Sequence, residues 1–238
     1  DTYLKGEREG RLGCFLRPVF HYLRMWDQVS ASRVDTYVAN SSAVQQRIAK
    51  FYRREAIVVP PPVDTSRFVA SDVRGDYYIA VSRFVPYKRM DMAVDAMTKL
   101  GRPLKVIGTG RQEAELKRRA GPNVEFLGWV DNERLPELMG NARAFLMPGE
   151  EDFGIAPVEA NACGRPVIAY GAGGALDTQT DGVTGVLFRP QTVEALRAAV
   201  ERFETMQFDH RTIASHAAAF SCEQFKARMR AIIETGAA

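Results

Sequence analysis

Apolar and polar positions alternate along this chain in a way that separates an irregular first part from a regular second part. From Phe15 to Val34, apolar residues at Leu16, Val19, Phe20, Leu23, Trp26 and Val29 recur at the spacing of one helix face. Thr36 to Ala39 reads as a short strand. Asn40, Ser41 and Ser42 offer N-caps for a helix reaching about Tyr52. Ala56 to Val59 is a β-branched run stopped by Pro60-Pro61-Pro62, where neither a helix nor a central strand continues. Val63 to Gly75 has no periodicity and reads as an interdomain linker.

Beyond it, short apolar runs alternate with helical patterns. Strands are predicted at Tyr77–Ser82, Leu104–Ile107, Val124–Leu127, Ala144–Met147, Pro166–Tyr170 and Gly185–Phe188. Helices are predicted at Met90–Leu100, Gln112–Arg119, Glu133–Met139, Ala156–Cys163, Val193–Glu204, His210–Ala219 and Glu223–Ile233. Such alternation predicts an α/β fold, a Rossmann-like parallel sheet with helices on both faces. The expected organisation has three parts. Residues 1–70 are the tail of a preceding Rossmann domain with a crossover, 71–219 are the ligand-binding domain, and 220–238 are a terminal helix packing back on the first part. The start at Asp1, without Met or a signal-peptide pattern, suggests a chain that begins inside a longer product.

Composition narrows the function classes. With 32 basic and 29 acidic residues, the +3 balance argues against nucleic acid as a partner. Cys14, Cys163 and Cys222 are few and far apart, which suggests a reducing compartment and a cytoplasmic protein. No 18-residue apolar window predicts a membrane span.

Ligands of open parallel sheets sit at the carboxyl ends of the strands, so the chemistry is sought there. The first strand end carries Arg83, Lys88 and Arg89 in a loop entering a helix, a pattern suited to a diphosphate. Alone, a solvated basic loop is the simpler reading. The second carries Gly108-Thr109-Gly110, where backbone can approach a ligand or simply turn tightly. The third glycine of a dinucleotide fingerprint is missing, which argues against a dehydrogenase. The fourth is Glu151-Asp152-Phe153-Gly154-Ile155-Ala156-Pro157-Val158-Glu159, running on to Gly164. Glu151 falls in the loop and Glu159 about two turns along an apolar helix, where an acid needs a partner. Free backbone N–H groups at Gly154 and Ile155 favour an anion. The fifth end holds Gly171, Gly173 and Gly174, then Asp177 and Gly185, a further candidate phosphate cradle.

Taken together, these segments resemble the retaining family 4 glycosyltransferases of the GT-B fold. Glu151 to Gly164 is similar to that family's Glu-x7-Glu motif. The Arg83 and Lys88 loop, Gly108-Thr109-Gly110, Leu127-Gly128-Trp129-Val130 and the Gly173 to Gly185 loop follow in the family's order. Tyr37 to Ser42 and Val59 to Phe68 resemble its interdomain crossover, and Phe220 to Phe225 its last helix. The resemblance covers nearly the whole chain. The stretch from Tyr22 to Ser41 looks most like a bacterial subgroup that builds surface polysaccharides, which implies mannose from GDP-mannose.

The resemblance implies roles. Arg83 and Lys88 bind the diphosphate and stabilise its departure. Glu159 binds the ribose hydroxyls, and Glu151 the hydroxyls of the transferred sugar. Amides near Phe153, Gly154 and Ile155 hold sugar and phosphate, with Gly108 and Gly110 alongside. Trp129 and Val130 lie beside the base. The implied partners are a nucleotide-sugar donor and a glycan or lipid-linked acceptor, with no cofactor and no metal. Glu150-x-Asp152 is read as a solvated loop. Asp177 is shorter than the acid the family often has there, which puts a role for it in doubt. Two other functions remain open on this fold: a nucleotide-binding fragment without catalysis, and a sugar-nucleotide epimerase. Arg17, Arg24 and Arg33 beside Phe15, Phe20, Tyr22 and Trp26 leave peripheral contact with the inner membrane open. The preferred reading is a core-facing helix, which invites self-association where its partner domain is missing.

Overall fold

The computed structural model describes residues 11–70 and 75–236, with side chains from residue 16. Asp1, the side chains of Cys14 and Phe15, and linker positions 71–74 lie outside the described residues.

Helix α1 (Arg11–Ala31) precedes a small parallel sheet of β1 (Tyr37–Ala39) and β2 (Ala56–Val58), joined by α2 (Ser42–Tyr52). Ser41 starts α2 as expected, its hydroxyl accepting from the Val44 N–H. The segment after β2 is not a plain linker. The Val63 N–H donates to Phe220 O at 2.9 Å, and Phe68 is buried.

The main body alternates strand and helix as far as its last strand and then ends in helices. It comprises β3 (Tyr78–Val81), α3 (Met90–Leu100), β4 (Leu104–Ile107), α4 (Glu113–Arg119), β5 (Val124–Gly128), α5 (Leu135–Gly140), β6 (Phe145–Met147), α6 (Ile155–Ala162), β7 (Val167–Tyr170), α7 (Ala175–Thr178), β8 (Gly185–Phe188), α8 (Val193–Glu204), α9 (His210–Ala217) and α10 (Cys222–Thr235). The six strands from β3 to β8 form one parallel sheet in the order β5-β4-β3-β6-β7-β8. This is the doubly wound order, and its reversal point lies between β3 and β6.

Each strand serves two cores, because successive side chains face opposite ways. Tyr78, Ala80, Leu104, Val106, Leu146, Ile168 and Val186 face α3, α4 and α8. Ile79, Ile107, Phe145, Met147, Val167 and Ala169 face α5 and α6. Met90, Met92 and Met97 of α3 are essentially fully buried. Each such side chain contributes about 1.5–3 kcal/mol.

One element departs from expectation. Helix α7 replaces part of the presumed glycine loop, since Ala175-Leu-Asp-Thr completes one turn as soon as Gly174 adopts helical angles. Helix α10 has no buried residue of its own, and the chain before it is fastened by the Val63–Ser221 bridge.

Candidate active site

The carboxyl ends of β3 and β6 open on a cavity of about 450 Å³, located where the doubly wound order reverses. Its walls include Ser82, Lys88, Gly149 and the run from Glu151 to Pro157, with Asn40 and Pro61 from the first part of the chain.

Lys88 is delivered by a 3-10 turn over Pro86–Lys88, which Pro86 favours by fixing φ. The next residue, Arg89, lies in the left-handed region at φ 51 and ends this turn while starting α3. Lys88 Nζ forms an ion pair with Glu151, and both side chains are about one-fifth exposed. Glu151 is held from behind: its carbonyl accepts from the Gly174 N–H at 2.8 Å, and it bridges to Gly173. Helix α6 begins immediately after, with Gly154 as N-cap at φ 88. Its first-turn N–H groups and Phe153 border the same cavity.

Glycines let these loops touch. A Cβ on Gly174 would lie 2.3 Å from Phe153 Cα, and one on Gly173 would lie 2.2 Å from Glu151 O. A Cβ on Gly149 would meet the Lys88 and Tyr87 carbonyls at 2.8 Å. Gly108 and Gly110 serve the same purpose, because added carbons would strike Ser82 O at 1.9 Å and Phe84 O at 2.6 Å. Their observed requirement is loop against loop, the tight-turn alternative of the sequence analysis.

Lys88, Glu151, Phe153, Gly154 and Ile155 are therefore brought together. Arg83, Gly108, Gly110, Trp129, Val130 and Glu159 are not on the cavity wall. Arg83 is exposed, and its side chain makes no ion pair or hydrogen bond among the described residues. Trp129 is 73% exposed beyond β5. Glu159 is the fifth residue of α6, a little over one turn in rather than two. Its side chain is 15% exposed, and burial pushes its pKa up while Arg67 pulls it down and Asp64 pushes it up. Arg67 Nη2 stands 3.7 Å from Glu159 Oε1.

Sequence patterning assigns Arg67 no role, in a segment without periodicity, and offers Asn40 as a cap and as part of a crossover-like stretch. The available clue is the acid in an apolar helix, which needs a partner. Asp177 has a defined place despite its short side chain: its Oδ2 accepts from the Ser42 N–H at 2.8 Å. Asp152, read as solvated, is exposed but pairs with Arg47 of α2. Among the described residues no group of three or more His, Cys, Asp or Glu is placed to hold a metal ion. Nor is any helix among them long and apolar enough to cross a membrane.

Comparison with known proteins places this geometry. Residues 64–219 match the family model described as "Glycosyl transferases group 1". A GDP-mannose-dependent alpha-(1-6)-phosphatidylinositol monomannoside mannosyltransferase of Mycolicibacterium smegmatis is 35% identical over 172 residues, 60% of this chain and 45% of the relative. A D-inositol 3-phosphate glycosyltransferase of Geodermatophilus obscurus is 31% identical over 239 residues, 83% of this chain and 52% of the relative. This chain thus spans about half the length of these relatives. Anabaena HepE, solved with UDP and glucose, superposes with a TM-score of 0.75 at 22% identity, over 89% of this chain and 66% of that one. At that identity the likeness speaks for the fold, which is of the GT-B type. On a family match that runs through more than half of its length, this chain belongs to the group 1 glycosyl transferases.

Proposed function

We propose that this chain carries the donor site of a retaining glycosyltransferase that moves a sugar from a nucleotide diphosphate to a polysaccharide or lipid-linked acceptor. The observation that carries the reading is the cavity at the β3–β6 reversal point, where Lys88, Glu151 and the start of α6 converge. A cation and a helix N-terminus suit the diphosphate, and a carboxylate suits sugar hydroxyls. Arg83, exposed in the loop that follows β3, supplies a second cation in this reading. Glu159 accepts no hydrogen bond from the described residues, so both its oxygens are open to the ribose hydroxyls. Gly108, Gly110, Trp129 and Val130, on the β4 and β5 side, border the path of the base.

In this reading the sugar C1–O bond to phosphate breaks as the acceptor oxygen bonds to C1 on the same face. The acceptor proton passes to the leaving phosphate. Lys88, Arg83 and the α6 amides stabilise the charge that develops there, so no divalent ion is invoked. The mannosyltransferase relative favours mannose from GDP-mannose. Residues 71–219 form the donor body, and 1–70 with 220–238 belong to the acceptor side. The reaction is assigned to the cytoplasm.

Calorimetric titration of the chain with GDP, UDP and ADP tests the reading. One nucleotide should bind, and Lys88→Ala and Glu159→Ala should each weaken it about tenfold or more, roughly 1.4 kcal/mol. A folded chain that binds none of the three, or variants that bind as the parent does, would refute it.

A further inference from the structure

We infer that Arg67 is a positioning residue that holds the Glu159 carboxylate charged and aimed for the ribose of the nucleotide. The inference rests on the donor-site reading above and names a residue that the reading does not require.

Glu159 stands between Val158 and Ala160, both fully buried, on a helix with no other charged residue. A carboxylate so placed tends to take up a proton. Protonated, it would offer a donor where two ribose hydroxyls need acceptors. Among the described residues Arg67 is the cation within 4 Å of it. Asp64, on the same segment as Arg67, opposes that effect, and Cys163, one turn further along the helix, is the remaining titratable group that interacts with Glu159.

The Arg67 side chain is 37% exposed, and neighbouring contacts set its direction toward Glu159. Arg67 follows a turn in which Ser66 Oγ donates to Asp64 at 2.6 Å and the Arg67 N–H donates to Asp64 O at 3.3 Å. Val63 and Phe68 flank it, each 1% exposed, and both belong to the core that contains Val158 and Ala160. The guanidinium lies 4.7 Å from the Phe68 ring centroid, which fixes its direction. At 3.7 Å the contact with Glu159 is an ion pair and not a hydrogen bond, so it leaves the carboxylate lone pairs for a ligand. The segment between the two sheets thus contributes a charge to the nucleotide site.

The test compares the tightest-binding of GDP, UDP and ADP with its 2′-deoxy counterpart, by calorimetry on the full chain. The parent should prefer the ribonucleotide by about tenfold or more, the size expected for hydrogen bonds to a charged group. Arg67→Gln should collapse that preference to the level of Glu159→Gln while 2′-deoxy affinity stays within about twofold of the parent. Arg67→Lys should keep most of the preference, and the double variant should bind no worse than Glu159→Gln alone. Thermal melts of each variant establish that it folds. If Arg67→Gln keeps the parental preference, or weakens both nucleotides equally, the inference fails and the donor site stands. If the parent binds but shows no ribose preference, the role of Glu159 falls and the inference with it.

Discussion

Replacing Gly174 with alanine tests whether the loops around the cavity are locked by backbone contact. Gly174 has φ −65, so alanine suits the backbone there and the cost is purely spatial. Its Cβ would sit 2.3 Å from Phe153 Cα, 2.5 Å from Phe153 O and 2.6 Å from Asp152 O. Ordinary contact begins near 3.4 Å, so the two loops must part by 3.4 − 2.3 = 1.1 Å, and no side chain can rotate to absorb it. Overpacking of this kind costs about 1–3 kcal/mol. With backbone on both sides we expect about 2 kcal/mol, a fall in melting temperature of about 4–8 °C for a chain of this size. The displaced segment carries Glu151 and the start of α6, and an error of about 1 Å in such groups can cost up to about a hundredfold in function. Nucleotide affinity should therefore fall about tenfold or more in calorimetry. Gly101→Ala is the control: at φ 64 with nothing within 4 Å it costs about 1–2 kcal/mol of backbone strain. That variant should melt lower yet bind normally. Gly174→Ala binding within about twofold of the parent would refute the interlock.

Three further outcomes follow from other parts of the structure. Cys163 is buried, with its thiol pushed up to about 12, so iodoacetamide at pH 8 should alkylate Cys222 in the native chain and Cys163 only after denaturation, as peptide mass mapping would show. Glu204 accepts from Arg102 at two positions and from the Tyr78 hydroxyl, which holds its pKa below the usual 4.5. Its contribution is complete above pH 4.5 and is lost as pH falls through the lower folded value, so Glu204→Gln should lower stability modestly at neutral pH and flatten the acid limb of urea-monitored stability. Asp177→Ala should free the Ser42 amide, raising its hydrogen-exchange rate about tenfold in NMR, whereas Asp177→Asn should retain much of the protection.

The fold was legible because the doubly wound sheet imposes local rules on sequence. Helix α3 and strands β4 and β8 begin and end at the residues the pattern predicts, since each is a short apolar run or an amphipathic stretch bounded by turn residues. The cluster of Lys88, Glu151 and Gly154 was legible for a similar reason, since strand ends in such sheets converge. Arg67 and Asn40 were hidden because their positions depend on contacts between segments far apart in sequence. No periodicity marks a side chain that crosses from one sheet to the other. Asp177 shows the same limit: its length suggested little, and its partner is a backbone amide 135 residues away. Along α1 the sequence predicts an apolar face that is covered only where a further domain packs on it. In the structure Val19, Tyr22, Trp26 and Val29 are more than half exposed and Leu23 nearly so, while Gln28 donates to the Phe51 carbonyl and Asp27 accepts from the Tyr52 hydroxyl of α2.

Arg89, pinned in the left-handed region between the Lys88 turn and α3, has a consequence for anyone seeking a sturdier protein. An L-residue there gives up about 1–2 kcal/mol of backbone energy, of which glycine would recover part against its own larger chain entropy. Arg89 in return pairs with Asp91 at 3.2 Å across the first turn of α3. Durability and cationic charge are thus opposed at a single residue beside the cavity, and a heat-resistant variant gained by glycine at 89 would surrender a positive charge where an anionic ligand is proposed to bind.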